Sequence, residues 1–171
     1  MKRKGRFLSV AILFLVTVLL TGCVGGLFGK SPEDQIRNFL KQVETAMKKQ
    51  DAQKLANSFT YPIKMETDRG VIEYEQDEFE HIIGAGFATM KAEGATIVDF
   101  KIDLANAEII VDKSGDSAVI KKATLSITVS LAGEEATEGP IEIPELELKK
   151  VGKQWKFDSD AAWILDSDFD L

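Results

Sequence analysis

The hydrophobic periodicity of this chain changes at about residue 95, and that change constrains the fold more than any other feature. Before it, apolar residues recur at helical spacing; after it, they alternate with polar residues through most of the remaining sequence. Recurrence every three or four positions predicts amphipathic helices, whereas strict alternation predicts half-buried strands. A chain with helices first and strands afterwards is expected to form an α+β domain.

Two helices are predicted near the start of this domain. Ser31-Pro32-Glu33-Asp34 offers an N-cap serine, a proline at the first helical position and an acidic first turn. Asp51 can cap a second, shorter helix. The apolar stripe of the first helix consists of Ile36, Phe39, Leu40, Val43, Ala46 and Met47.

A third helix is predicted from about Gln76 to Glu93. Its apolar residues share one face: Phe79, Ile82, Ile83, Gly86, Phe87 and Met90. Gly84 and Gly86 each cost about 1 kcal/mol relative to alanine inside a helix. That cost indicates close approach of another backbone, a kink, or an opening beside a cavity.

The predicted strands begin with a hairpin of Tyr61 to Thr67 and Val71 to Tyr74. From Ala95 onward four long strands are expected, with Gly133 to Gly139 as an acidic loop and Gly152-Lys153 as the last turn. In the first long strand, the residues expected on the core face are Val98, Phe100, Ile102 and Leu104.

Breaks in the alternation predict bends in these strands. The apolar residues switch between even-numbered and odd-numbered positions near residues 105–108, again near Lys121-Lys122, and again at Pro144. A strand cannot change faces without an irregularity. Neighbouring strands that break at similar places imply one strongly curved sheet wrapped around the helices.

The predicted order, α-α-β-β-α-β-β-β-β, resembles the cone-shaped fold of the nuclear transport factor 2-like superfamily, also called cystatin-like. The opening S-P-E-D-Q-I-R-N-F-L-K-Q-V-E-T-A-M-K-K-Q-D-A-Q-K-L-A is similar to the two-helix start of such domains. The closing L-K-K-V-G-K-Q-W-K-F is similar to their last hairpin. The resemblance implies one domain over residues 31–165. It implies little about activity, because members include enzymes, transport factors and bacterial lipoproteins of unknown role.

The N-terminus predicts export and lipid attachment. Four basic residues precede the apolar run Phe7 to Leu20, which is shorter than the roughly 20 residues that span a bilayer. Leu20-Thr21-Gly22-Cys23 resembles the lipobox of bacterial lipoproteins. That resemblance implies a signal peptide over 1–22, a lipid on the Cys23 thiol, and a tether over 23–30. The alternative is an ordinary signal peptide or an uncleaved anchor with an incidental cysteine.

The expected location is the extracytoplasmic face of the cell membrane, or an outer membrane in a cell that has two. Cys23 is the only cysteine, so we expect neither a disulfide nor a cysteine-based metal site. Removing residues 1–22, which hold four basic and no acidic residues, changes the net charge from −7 to −11. Nucleic acid is therefore excluded as a partner. Residues 166–171 are predicted to be a solvated acidic tail.

No catalytic set, metal site or cofactor motif is identifiable. The candidate polar residues at a pocket or its boundary are Tyr61, Tyr74 and His81. His81 is expected to be exposed beside Asp77, the alternative being a general base at the mouth of the cone. Asp99 and Asp103 match the residue types of isomerases of this superfamily, but no motif aligns with them.

Two functions follow as hypotheses. The first is a non-catalytic, membrane-anchored binding module for an envelope protein or a small apolar ligand. The second is a small lyase-like or isomerase-like enzyme that uses the pocket of the cone. The uncharged stripe Thr124, Ser126, Thr128 and Ser130 on one predicted strand is either a solvated sheet face or a surface that packs on a second copy of the chain or on another partner.

Overall fold

The computed structural model describes residues 30–67 and 70–159. The chain divides into two units, Met1–Ser31 and Pro32–Leu171, and the helices and strands named below belong to the second. The predicted α+β class is confirmed, because three helices accompany a strongly curved antiparallel sheet over the described ranges.

Several predictions concern residues outside the described part. These are the signal peptide, the lipid site at Cys23, most of the tether and the acidic tail 166–171. They stay predictions, as do the domain boundaries. Within the described part, no helix is long and apolar enough to cross a membrane.

The two N-terminal helices form where their caps and apolar stripes predict them. Helix α1 spans Pro32–Lys48 and helix α2 spans Ala52–Ala56. The Asp51 carboxylate accepts a hydrogen bond from the Lys54 N–H at 3.1 Å, which is the expected N-cap contact. The buried residues of the two helices are Ile36, Leu40, Val43, Ala46, Leu55 and Ala56.

A small hairpin and the third helix follow. Strands β1 (Ile63–Thr67) and β2 (Gly70–Tyr74) pair as a separate two-stranded antiparallel sheet. Helix α3 spans Gln76–Ala92 and starts with a capping box, in which the Glu75 N–H donates to the Glu78 carboxylate at 3.0 Å. Both elements lie within two residues of their predicted ends.

In the described part of the chain, the main sheet contains five strands, all antiparallel to their neighbours. They are β3 (Ala95–Asp103), β4 (Glu108–Val111), β5 (Ser117–Leu131), β6 (Glu134–Val151) and β7 (Gln154–Phe157). The order is β3-β5-β6-β7, and β4 also pairs with β5. The chain leaves the sheet over 104–107, so the bend predicted there divides one expected strand into β3 and β4.

The two other predicted bends are confirmed, and they lie next to each other on the neighbouring strands β5 and β6. Lys122 has a φ of 58°, and the buried residues on either side of it are Ile120 and Ala123. On β6, Ile143 and Leu146 are buried on either side of Pro144. Both strands therefore change faces between the pairs Lys121–Glu145 and Ala123–Ile143, as a sharply curved sheet requires.

The prediction that Val98 belongs to the core face was wrong. A β-bulge between Ile97 and Asp99 shifts the register against β5. Ile97 and Phe100 are both buried, while the Val98 side chain is 43% exposed. A bulge inserts one unpaired residue, so simple alternation assigned Val98 to the wrong face.

The predicted acidic loop from Gly133 to Gly139 was also wrong. Ala132 and Gly133 form a two-residue turn with φ values of 52° and 90°, the left-handed conformation that tight hairpins favour. Glu134 to Glu138 then pair in register with Leu131 to Ile127. Cross-strand pairing overrides the low strand propensity of this glutamate-rich segment.

The core lies between α1, α2 and the concave face of the sheet. An aromatic group joins these elements, with ring centroids 5.1 Å apart for Phe39–Phe157, 5.2 Å for Phe59–Phe157 and 5.3 Å for Phe59–Phe79. The residues after α2 also bond to β7, because the Thr60 N–H donates to the Phe157 carbonyl at 2.9 Å. Between Glu134 and Leu146, β6 pairs only with β5 among the described strands, so its other side has no neighbouring strand there.

Candidate functional site

A cavity of about 430 Å³ lies between α3 and the concave face of the sheet. Nineteen residues line it, and none carries an ionisable or hydrogen-bonding side chain. Four regions contribute: the inward faces of α1 and α2, the β1–β2 hairpin, α3, and strands β3, β5, β6 and β7. The cavity is therefore the concave interior of the fold, left unfilled at one end.

Helix α3 provides one wall. The six residues predicted to share its apolar face all line the cavity: Phe79, Ile82, Ile83, Gly86, Phe87 and Met90. Only Phe79 among them is fully buried. The predicted apolar face of α3 therefore points inward, and most of its residues border the cavity.

The two glycines of α3 have different surroundings. A Cβ at Gly84 would lie 3.7 Å from the Ala52 Cβ, so this position faces the start of α2 at ordinary contact distance. A Cβ at Gly86 would meet no atom within 4 Å. Of the three reasons considered for these glycines, Gly86 matches the opening beside a cavity.

The sheet provides the opposite wall. The bulge at Val98 sets Ile97 and Phe100 on the same face, so both reach the cavity. On β5, Leu125 and Ile127 line it, although a second register shift between them separates their partners on β6. Irregularities in β3 and β6, the two strands on either side of β5, thus accompany the apolar side chains that point into the concave face.

Tyr61 lies at the edge of the aromatic group and does not line the cavity. Its hydroxyl donates a hydrogen bond to the Ala56 carbonyl at 2.6 Å, and its ring centroid is 6.2 Å from that of Phe79. Burial, with a smaller contribution from the nearby Glu80 charge, raises the pKa of the phenol above its usual value. These contacts give Tyr61 a structural role at the end of α2.

Tyr74 and His81 also do not line the cavity. Tyr74 is half-buried at the end of β2, directly opposite the buried Ile63. His81 is exposed on α3, as its position on the helix predicted. The structure therefore does not bring the three candidate polar residues together in one site.

A second concavity, of about 530 Å³, lies between α1 and β3 and is lined by charged residues. Lys48 Nζ is 3.1 Å from Asp99 Oδ1, and Lys101 Nζ is 2.8 Å from Asp103 Oδ2. Hydrogen bonds from these lysines lower the pKa of both aspartates. Glu44 accepts the Ile102 N–H at 2.8 Å. The Lys48–Asp99 and Glu44–Ile102 contacts attach α1 to the sheet, so we assign the groove a structural role.

The described residues hold no group of three or more histidine, cysteine or acidic side chains placed to bind a metal ion. The uncharged stripe Thr124, Ser126, Thr128 and Ser130 is half-buried along β5. Thr128 and Thr137 form a hydroxyl–hydroxyl hydrogen bond of 2.9 Å across β5 and β6. This is a cross-strand contact of the sheet itself.

No family model and no curated protein sequence matches the chain. Solved structures of similar shape exist. Aln2 from a Streptomyces species has a TM-score of 0.57 at 17% identity, covering 75% of this chain and 88% of its own. A protein of unknown function from Mycobacterium tuberculosis has a TM-score of 0.52 at 19% identity, covering 72% and 69%.

A third structure carries the name of the fold. An NTF2-like protein with a cystatin-like fold from Novosphingobium aromaticivorans has a TM-score of 0.51 at 13% identity, covering 92% of this chain and 86% of its own. Likeness at such low identity establishes architecture and no shared activity. Helix order, curved sheet and interior cavity together identify the described domain as having the nuclear transport factor 2-like, cystatin-like α+β fold.

Proposed function

We propose that this chain is a lipid-anchored, extracytoplasmic module that binds a small apolar ligand in the cavity beneath α3. The observation that carries the proposal is the cavity itself: about 430 Å³ with an entirely apolar lining. That volume falls within the range of about 300–1,000 Å³ typical of small-ligand sites. Close packing is the rule in protein interiors, so an apolar space of this size is exceptional.

Gly86 supports a binding role for this space. A glycine inside a helix destabilises it by about 1 kcal/mol relative to alanine. No neighbouring atom requires the absence of a side chain there, because a Cβ would have nothing within 4 Å. Packing alone does not account for this residue, whereas room for a ligand does.

The lining favours binding over catalysis. The lyase-like or isomerase-like alternative needs a general base or acid within reach of the substrate. Tyr61, Tyr74 and His81 all lie outside the lining, and no described lining residue titrates. No observation in the described part of the chain favours the enzyme, so the binding module is the better supported of the two functions.

The anchor rests on the sequence Leu20-Thr21-Gly22-Cys23. A lipid on Cys23 would hold the domain near the extracytoplasmic face of a membrane through a tether of residues 23–30. Stable anchoring requires about two acyl chains, which a diacylglyceryl group supplies. An envelope protein or a second copy of this chain remains a further proposed partner, through the face of the sheet.

The cavity can be tested with the neutral fluorescent probe 1-N-phenylnaphthylamine and the purified full chain. Wild type should bind the probe with increased fluorescence. Gly86→Leu should remove most of the binding, because the new side chain enters the cavity. Ala88→Leu is the matched control, since Ala88 is exposed and does not line the cavity. Equal binding by both variants, or none by wild type, would contradict the proposal.

The anchor has a separate test. Cells that express the chain are labelled with a fatty acid, and wild type is compared with Cys23→Ser. We expect label on wild type in the membrane fraction and none on Cys23→Ser. Equal labelling of the two proteins would show that Cys23 is not the site.

A further inference from the structure

The mouth of the cavity can be located from the exposure of its lining. Ile82 is 46% exposed and Gly86 is also exposed, whereas the other lining residues are buried or half-buried. Both lie on α3. The cavity therefore opens to solvent along this side of the helix.

The part of β6 from Glu134 to Ile141 adjoins the β5 side of the lining, and we call it the β6 rim. Glu138 is directly opposite Ile127, and Ile141 is directly opposite Leu125. Both β5 residues line the cavity. Directly opposed residues of an antiparallel pair point to the same face, with Cβ atoms about 4.5–5.5 Å apart. Glu138 and the 37% exposed Ile141 therefore lie on the concave face next to the lining.

The charge on this rim is negative. Glu138 is exposed and belongs to none of the four ion pairs found in the described part of the chain. Glu134, opposite Leu131, places a second carboxylate on the same face. Lys91, the only lysine of α3, is on the opposite side of the helix from Ile82, since successive residues advance by about 100°.

We propose that the ligand of this cavity is a cationic amphiphile, with its apolar body inside and its positively charged head at Glu138. This inference rests on the proposed binding function and adds the class of ligand. An apolar interior with a carboxylate at its mouth complements a molecule that is apolar at one end and cationic at the other. A net negative charge on the whole chain acts in the same direction by attracting cations.

The expected preference is modest. An exposed charge pair contributes little in water, which corresponds to a factor of about two to five in affinity. Because the pair is exposed, added salt should weaken the preference. The apolar body should dominate the total affinity.

The test compares decyltrimethylammonium, decanol and decanoate, which carry unbranched alkyl chains of similar length, each below its micellar concentration or its solubility limit. Each is titrated against 1-N-phenylnaphthylamine bound to the full chain. Wild type should bind the cation most tightly and the anion least. Glu138→Gln should remove the preference for the cation over decanol while leaving the affinity for decanol unchanged.

Glu142→Gln is the matched control, because Glu142 lies opposite Thr124 on the other face of the same strand. This variant should keep the preference for the cation. Loss of the preference in both variants would show a general field effect and overturn the role of Glu138. Equal affinity of wild type for all three ligands would overturn this inference and leave the proposed function standing. Failure of all three to displace the probe would overturn the proposed function as well.

Discussion

Helices α1 and α3 are equally long and both carry an apolar stripe, but they pack differently. Each has 17 residues. Helix α1 buries four of its residues against the sheet and α2, whereas α3 buries only Phe79. The rest of the α3 stripe borders the cavity. Periodicity thus predicts which face of a helix turns inward, and it does not predict how closely that face packs.

The contacts of the two helices explain the difference. Helix α1 is attached to β3 by the Glu44–Ile102 hydrogen bond and by the Lys48–Asp99 ion pair, which lie one helical turn apart. Helix α3 packs mainly against α2 and touches the main sheet along β3. One end of the interior is therefore closed by α1, and the end under α3 stays open.

The largest expected loss of stability comes from a substitution at the end of the interior that α1 closes. Leu40 is 2% exposed, and Leu40→Ala should lower the free energy of unfolding by about 2–5 kcal/mol, because it leaves a cavity in a packed core. Urea denaturation followed by circular dichroism measures it. Ile82→Ala, at the open mouth, should cost less than about 1 kcal/mol. If both variants lose a similar free energy of unfolding, the two ends of the interior do not differ in how closely they are packed.

The Glu44 side chain offers the next test. Glu44→Ala removes the acceptor of the Ile102 N–H and should destabilise the fold by about 1–2 kcal/mol. Glu44→Gln keeps an acceptor oxygen and should recover most of that loss. If the two variants are equally stable in urea, the hydrogen bond does not contribute to the attachment of α1.

Gly86→Ala, in contrast, should raise the free energy of unfolding. Alanine favours the helix by about 1 kcal/mol relative to glycine, and its methyl group would project into open space. The variant should therefore unfold at higher urea concentration than wild type. A destabilised variant would mean that the wall of the cavity is tightly packed at this position.

The smallest expected effect is a response to acid in the turn between β4 and β5, on the part of the sheet next to α1. The Asp112 carboxylate accepts hydrogen bonds from the Ser114 hydroxyl and from the N–H groups of Ser117, Asp116 and Gly115. These bonds lower the pKa of Asp112 to about 2. Because the folded state holds the proton less tightly than the unfolded chain, this stabilisation is complete above about pH 4 and disappears as the pH falls through about 2.

Thermal unfolding of wild type and Asp112→Asn between pH 2 and pH 7 tests this effect. Wild type should have the higher melting temperature at pH 7, and the difference should shrink steadily below about pH 4. A constant difference across this range would show that the carboxylate charge is not responsible.

Most of the fold could be predicted from local patterns. The helix start at Pro32, the cap at Asp51 and the stripes of α1 and α3 all correspond to elements of the structure. The failures arise where pairing between distant residues decides the outcome. Val98 leaves its expected face because of a bulge against β5, and Glu134 to Glu138 form a strand because β5 pairs with them.

The site was predicted less completely, for a physical reason. The α3 wall follows from helical spacing, but whether a stripe borders a core or a void depends on the distance between elements, which spacing does not encode. Residue type alone therefore indicated the polar residues Tyr61, Tyr74 and His81, whereas the lining is apolar throughout. Glu138 was assigned to a loop, so its place on the rim could not be anticipated.

Among the described residues, β6 pairs with no strand on its outer side between Glu134 and Leu146, which affects how copies of this protein interact at high concentration. A long strand with one free side is a template onto which another chain can add, and such addition leads to aggregation. Here Pro140 and Pro144 interrupt the row of N–H donors, and glutamates at 134, 135, 138, 142 and 145 repel an identical strand. We therefore expect these residues to oppose the addition of a second copy of the chain along this side of β6.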